Sequence, residues 1–275
     1  MSNTEVNCCI CGTVKNCGKY LDKVISNIVK IGHLFNKYEI IIYYDKSNDN
    51  TLSQLLKHKQ CNKNISLFIN TDKLSPYRTH NIAKGRNACL KYVRDRKEIY
   101  KYFIMMDFDD VNAKECDYNK ITKYLHRNDW DGLSFQTSPH YYDIWGLSIY
   151  PFCFSYNHFN HSVKFYTIIQ KYIDHLLSRL KPSQLLPCIS AFNGFAIYRT
   201  DKFLDTYYDG RVRYDLLPTN LITAHKRITN TKHLQFIKYP TVDGRYEDCE
   251  HRAFHLMASK RHRAKIMISP EIIFY

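Results

Sequence analysis

Between residues 6 and 106 the chain alternates short apolar runs with segments of helical period, three times over, and then begins a fourth apolar run. Residues 6–14 (VNCCICGTV) read as a first strand. In residues 19–31 the apolar side chains Leu21, Val24, Ile25, Ile28 and Val29 recur at helical spacing. Tyr38–Tyr44 is a second strand, 51–57 opens a second helix, Ile65–Ile69 is a third strand, 81–93 a third helix, and Tyr102–Met106 a fourth strand. Strands that are apolar along their whole length are buried on both faces, and strand–helix alternation produces right-handed crossovers between parallel strands. The sequence therefore predicts an α/β fold, a mainly parallel sheet with helices on both faces.

The second half is less regular. Gly132–Gln136 reads as a strand, 163–180 as a helix, 189–198 as a strand with a glycine inside it, and 246–259 as a helix. No internal repeat or low-complexity linker separates the halves. A single domain over 1–275 is expected, with the two halves, 1–128 and 129–275, sharing one sheet.

The fourth strand ends in Asp107-Phe108-Asp109-Asp110. In an open α/β sheet, ligands bind beyond the carboxyl ends of the strands. Carboxylates crowded there repel one another unless a cation or a hydrogen-bond network offsets the repulsion. Mg²⁺ and Mn²⁺ take such oxygen ligands, and Mg²⁺ commonly shares its shell with substrate phosphates. The same residues also fit an acidic turn after a core strand.

Composition narrows the partners. The formal charge of +14, from 40 Lys and Arg against 26 Asp and Glu, favours polyanionic or phosphate-bearing partners, with the basic residues dispersed along the chain. It does not choose among nucleic acid, an anionic membrane surface and a nucleotide. No apolar stretch is long enough to cross a bilayer and the polar N-terminus carries no signal-peptide core, so a soluble, cytoplasmic protein is expected. Ten cysteines, several of them within apolar segments (Cys89, Cys153, Cys188), suit buried reduced thiols. Cys8, Cys9, Cys11 and Cys17 offer one C-x-x-C spacing, Cys8 to Cys11, inside an apolar run and with no second such pair, which argues against structural zinc.

The order of these motifs resembles the GT-A class of nucleotide-sugar glycosyltransferases, Rossmann-like in fold, along nearly the whole chain. Thr13, and Asp45 with Ser47-Asn48-Asp49-Asn50-Thr51, resemble the two nucleoside-contacting turns. Lys84-Gly85-Arg86-Asn87 resembles the helix motif Ala-Arg-Asn, whose arginine faces the nucleotide, and Asp107-Phe108-Asp109 resembles the DxD motif that holds metal and donor diphosphate. Tyr141-Tyr142-Asp143-Ile144-Trp145, the Ser190–Tyr198 segment with Asn193-Gly194, and Asp248-Cys249-Glu250-His251 followed by His255 resemble segments of a subgroup found in fungal capsule mannosyltransferase-like proteins, bacteria and large DNA viruses. The chain departs from the family at Gly85, where alanine is usual, and at Asn193, where related enzymes often carry a second glycine.

The resemblance implies a hexosyl- or pentosyltransferase that moves sugar from a UDP- or GDP-sugar to a hydroxyl of a glycan or glycoprotein, with Mn²⁺ or Mg²⁺ as cofactor, in the host cytoplasm if the chain is viral. The donor would be held by Thr13, Asp45, Arg86, Asp107, Asn193 and Gly194, and the metal by Asp107 and Asp109. Tyr142, Asp143 and Trp145 would face the acceptor, since aromatic rings stack on sugars, although core packing explains any one ring equally well. Asp45 reads nearly as well as a turn residue bonded to its own backbone, and Arg86 as a solvent-facing helix residue.

On a helix over 246–259, Tyr246, Cys249, Ala253 and Met257 share an apolar face with Glu250 among them, and Asp248, His251 and His255 lie on another. A carboxylate on an apolar face is costly unless partnered, which marks Glu250 as a functional candidate. We expect a cleft at this helix's start reached by Asp248 and Glu250, one of them the catalytic base, with Asp248 favoured on accessibility and His255 a third metal ligand. Two alternatives compete. A nucleic-acid-binding module would use the positive charge gathered on one face, and leaves the DxD without a role. A sugar-1-phosphate nucleotidyltransferase needs a Gly-rich loop after the first strand, where Cys11-Gly12-Thr13-Val14 offers one glycine.

Overall fold

The structure, a computed structural model, describes residues 5–154, 163–230 and 247–275. One eight-stranded sheet runs through it in the order β3-β2-β1-β4-β7-β5-β8-β6. The first half follows the alternation read from the sequence: β1 (Cys8–Val14), α1 (Gly18–Gly32), β2 (Tyr38–Tyr44), α2 (Thr51–Cys61), β3 (Ile65–Ile69), α3 (Arg78–Arg94) and β4 (Tyr102–Met106), with every strand pairing parallel. The second half adds α4 (Asn119–Leu125), β5 (Gly132–Gln136), α5 (Val163–Ser178), β6 (Leu186–Cys188), β7 (Phe195–Arg199), α6 (Thr219–Thr229), α7 (Glu250–His262) and β8 (Ile266–Ile272). Of these strands, β7 runs antiparallel between β4 and β5, β8 lies parallel to β5, and β6 closes the edge antiparallel to β8.

Side-chain alternation along β1 explains its unbroken apolar character. Cys8 and Ile10 pack with α1 and α4 through Leu21, Val24, Ile28, Ile121 and Tyr124. Cys9 and Cys11 face the opposite layer, where Ala83, Cys89 and Leu90 of α3 meet Phe254 and Ala258 of α7. Each fully buried Leu or Ile contributes about 1.5–3 kcal/mol, so both faces of the sheet stabilise the fold. All ten cysteines are free; burial pushes the Cys8 and Cys11 thiols upward, and at Cys89 the hydrogen bond with the Cys11 thiol leads and burial adds to it.

Three expectations are corrected. The strand expected over 189–198 is confined to Phe195–Arg199, because Asn193 (φ 58°) and Gly194 (φ 80°) turn the chain in the left-handed region just before it. The C-terminal helix begins at Glu250, with Cys249 as its N-cap, so Asp248 precedes it; Tyr246 lies outside the described residues. Nor does this helix have separate faces, since every residue from Glu250 to Ala258 is buried. No helix among the described residues is long and apolar enough to cross a membrane.

Candidate active site

The carboxyl ends of β1, β2 and β4 open into a cavity of about 410 Å³ lined by Thr13, Lys15, Asn16, Asp45, Arg78, Arg86, Asp107 and Asp109. The turns after β1 and β2 are fastened together. Asn16 N–H donates to Ser47 Oγ at 3.0 Å, and Asn48 N–H donates to Asn16 Oδ1 at 2.7 Å. Asp45 is 8% exposed and accepts from Asn70 Nδ2 at 2.8 Å, so one of its oxygens has a protein partner while the residue lines the cavity.

The Asp107–Asp109 pair owes its presentation to Phe108. That ring is buried against Gly12, where a Cβ would stand 2.1 Å from Phe108 Cε2, so only glycine admits it. With Phe108 turned inward, Asp107 and Asp109 line the cavity. Asp107 N–H donates to Gly194 O at 2.9 Å, tying the end of β4 to the turn before β7.

Arg86 is the electrostatic centre. It is 3% exposed, with Nη2 2.7 Å from Asp107 Oδ1 and Nη1 2.7 Å from Glu250 Oε1. Its guanidinium lies over the Phe192 ring, 4.5 Å from the centroid, with Tyr208 at 5.9 Å. Arg86 is therefore a buried clamp and not the solvent-facing helix residue that also fitted its spacing. Burial pushes the Asp107 carboxyl up, to about 8; Arg86 opposes that rise, while Asp109, Glu250 and Asp143 add to it. Asp109 is raised by burial too, opposed by the Val111 N–H that donates to its Oδ1 at 3.2 Å. Excess negative charge of this kind is what a bound cation would neutralise.

A second cavity of about 230 Å³ adjoins the first and shares Arg78, Arg86 and Asp107 with it. Its far wall is Tyr142, Asp143, Trp145, Tyr166, Glu250 and His251. Tyr142 is 49% exposed, whereas Tyr141 is buried in the core. Burial raises the Asp143 carboxyl, and a 2.9 Å hydrogen bond from Gly146 N–H opposes the rise.

Several sequence expectations change here. Asn193 and Gly194 lie behind the site and line neither cavity. Asn193 Oδ1 accepts from the N–H groups of both Tyr142 and Asp143 at 2.9 Å, and its Nδ2 donates to Phe135 O at 2.7 Å, so it shapes the Tyr142–Asp143 loop. Asp248 is not at the cleft: it is 2% exposed and accepts from Arg252 Nε at 3.0 and 3.1 Å. Arg252 in turn donates from Nη1 to Leu147 O at 3.1 Å and Cys153 O at 2.9 Å, making the pair a pin for the loop after Trp145. Glu250, at the first turn of α7, is the carboxylate of this helix that lines the cleft.

His255 is no metal ligand in this arrangement. It is fully buried, with Nδ1 3.0 Å from Ser190 Oγ and Nε2 2.9 Å from Tyr198 OH. Ser190 Oγ already donates to Gly146 O at 2.8 Å, so it accepts from His255 Nδ1–H, and Nε2 accepts from Tyr198 OH. No lone pair is left for a cation. Burial, reinforced by the charges of Arg252 and Arg86, pushes its pKa down to about 3. Among the described residues no group of three or more His, Cys, Asp or Glu is arranged to hold a metal.

Sequence reading missed Arg78 and Lys15. Arg78 is the first residue of α3, exposed, and on the rim of both cavities. Its signal was Pro76, which favours a helix start earlier than residue 81.

The mannosyltransferase PcManGT from Pyrobaculum calidifontis, solved with GDP-Man and Mn²⁺, is 13% identical, with a TM-score of 0.39 over 50% of this chain and 37% of that one. TarS residues 1–349 of S. aureus is 13% identical, with a TM-score of 0.41 over 88% and 60%. Glucosyl-3-phosphoglycerate synthase from Mycobacterium tuberculosis, solved with Mn²⁺, UDP and phosphoglyceric acid, is 11% identical, with a TM-score of 0.42 over 72% and 57%. Likenesses this distant transfer no residue roles. An uncharacterized glycosyltransferase of Haemophilus influenzae is 35% identical over 114 residues, a match spanning 42% of this chain and 31% of that protein's length. The model of glycosyl transferase family 2 matches residues 9–203, from β1 through β7 and so across the Asp107–Asp109 pair. The chain belongs to glycosyl transferase family 2.

Proposed function

We propose that this protein transfers a hexose or pentose from a UDP- or GDP-sugar to a hydroxyl of a glycan or glycoprotein, with Mn²⁺ or Mg²⁺ as cofactor. The observation that carries the reading is the Asp107–Arg86–Glu250 constellation at the carboxyl end of β4, where two carboxylates share one buried guanidinium and a third, Asp109, stands beside them. The donor set fits a hard divalent cation, because such ions are commonly bound by one or two carboxylates with substrate phosphates completing the shell. Asp109, assisted by Asp107, would hold it; when bound, the ion neutralises charge developing on the diphosphate leaving group.

The two cavities support a division of labour. The larger is lined by residues of the first half alone and would take the nucleotide diphosphate; the smaller draws its far wall from the second half and would take the acceptor. Thr13 and Asp45 would contact the nucleoside, and Arg78, exposed on the shared rim, the phosphates. In the chemical step Glu250 accepts the proton of the acceptor hydroxyl. The acceptor oxygen then bonds to the anomeric carbon as the bond from that carbon to the diphosphate oxygen breaks. That single displacement inverts the configuration. The narrower affinity to the fungal capsule mannosyltransferase-like and viral subgroup is supported by the convergence of its three C-terminal segments on this cleft, Asn193 holding the Tyr142–Asp143 loop beside Glu250.

The test is donor hydrolysis across a panel of UDP- and GDP-sugars, with Mn²⁺ and with chelator, for the wild type and Asp109→Asn. One donor should be turned over in a metal-dependent way, and the variant should lose metal-dependent nucleoside diphosphate binding by calorimetry while its melting temperature holds. Equal affinity in the variant would remove Asp109 from the metal site.

A further inference from the structure

The cleft leaves most of the chain's positive charge unused. The basic residues are dispersed in sequence, but the fold gathers many of them at one pole. Helices α3 and α7 both start at the cleft, with Arg78 and Glu250, and run away from it. Their far ends fasten to one turn: Arg94 donates to Thr206 O at 2.8 Å, and His262 meets Asp205 at 2.6 Å. Thr200 N–H donates to Lys101 O at 3.0 Å, which joins the start of β4 to the same surface.

Segments 91–101, 200–205 and 259–265 carry ten Lys and Arg against four Asp and Glu, a net +6 out of the chain's +14. Lys91, Arg94, Lys260 and Arg261 lie in the last turns of α3 and α7 or beside them, where cations offset the helix dipoles. Lys97, Lys101, Lys202, Arg263 and Lys265 lie beyond the helix ends, and that account does not cover them. In the turn between Lys97 and Lys101 sits Ile99, 50% exposed, the one large exposed hydrophobe among the described residues of these segments.

We propose that this pole docks on an anionic membrane surface. Dispersed cations at one end of the fold attract acidic headgroups, and an apolar side chain between two lysines suits the headgroup–acyl boundary. Nucleic acid is favoured less, because among the described residues of these three segments no large aromatic ring is exposed as a platform for bases. The opposite end holds Asp107, Asp109, Asp143 and Glu250. Across the 17 residues of α3 the two ends are roughly 25 Å apart, so an anionic surface would turn the cleft outward, away from the bilayer.

Flotation of the full chain with phosphatidylcholine vesicles, with and without about 30% phosphatidylserine, tests this. Binding is expected only to the acidic vesicles, falling on the order of tenfold or more between about 50 and 200 mM NaCl. The triple variant Lys97→Glu, Lys260→Glu, Lys265→Glu should lose at least about tenfold in vesicle affinity. Ile99→Ser should weaken binding severalfold and leave the salt dependence alone, and both variants should melt as the wild type does. Binding to neither vesicle type, or equally to both, overturns the proposal. So does tighter binding to an RNA or duplex DNA oligomer that the triple variant abolishes, which would assign the pole to nucleic acid.

Discussion

Residue 250 and residue 248 are both buried carboxylates near the start of one helix, yet their partners give them opposite roles. Asp248, just before the helix, faces Arg252 in its first turn, a pair buried on both sides. Glu250 faces Arg86 across the cleft. Glu250→Gln should therefore lower kcat by at least about a hundredfold, as for a general base, with donor KM little changed. Near-wild-type turnover would mean that Glu250 only holds Arg86. Asp248→Ala should act on stability instead, costing about 3–5 kcal/mol by leaving Arg252 buried and unpaired. Urea denaturation of both variants separates the two effects. The sequence favoured Asp248 because helical spacing says which way a side chain points and not which cation it meets.

Among the elements, α3 is shaped by one close approach. A Cβ on Gly85 would stand 2.6 Å from Thr13 Cγ2 and 2.6 Å from Tyr43 Cδ1. Helix propensity alone makes Gly85→Ala stabilising by about 1 kcal/mol. The crowding reverses the sign: we expect a net loss of about 1–2 kcal/mol together with a raised donor KM, since Thr13 lines the larger cavity, proposed to take the donor. A thermal melt and a donor titration check both. Helix α7 carries the pH dependence. His255 is neutral in the folded protein, its pKa pushed down to about 3, whereas an unfolded histidine titrates near about 6.5. The unfolded chain therefore binds the extra proton at residue 255 between those values, and this one group contributes a loss of about 1.4 kcal/mol per pH unit as pH falls below about 6.5. His255→Phe leaves Tyr198 OH without its acceptor and is less stable at pH 7. Its deficit should shrink as pH falls from 6.5 towards 4, measured by urea melts at each pH. A constant deficit would show that His255 is not held neutral.

For the whole molecule, the insertion of antiparallel β7 between β4 and β5 brings the two halves into one sheet and sets their cavities side by side. If donor and acceptor divide between them, Tyr142→Ala should raise acceptor KM about threefold to tenfold and leave donor KM unchanged. Steady-state kinetics with each substrate varied in turn provides the check. A rise in donor KM alone would place Tyr142 on the donor sugar.

The sequence by itself determined the parallel half of the sheet and the position of Asp107 and Asp109 at the end of β4. Apolar runs, helical periods and turn residues are local signals, and β2, β3, β4 and β5 have the bounds the pattern predicts. It also placed Thr13, Asp45, Arg86, Tyr142, Asp143 and Trp145, which all line one cavity or the other. It did not reveal β6, β8, α4 or α6, whose short or interrupted runs carry weak periodicity. Tertiary structure decided the rest, because each remaining role depends on a partner distant in sequence. Asn193 became a loop brace by meeting the N–H groups of Tyr142 and Asp143, and His255 was saturated by Ser190 and Tyr198. Glu250 lines the cleft beside Arg86, on a helix far earlier in the chain, while Asp248 is held by Arg252, and that difference has no signature in the spacing of residues.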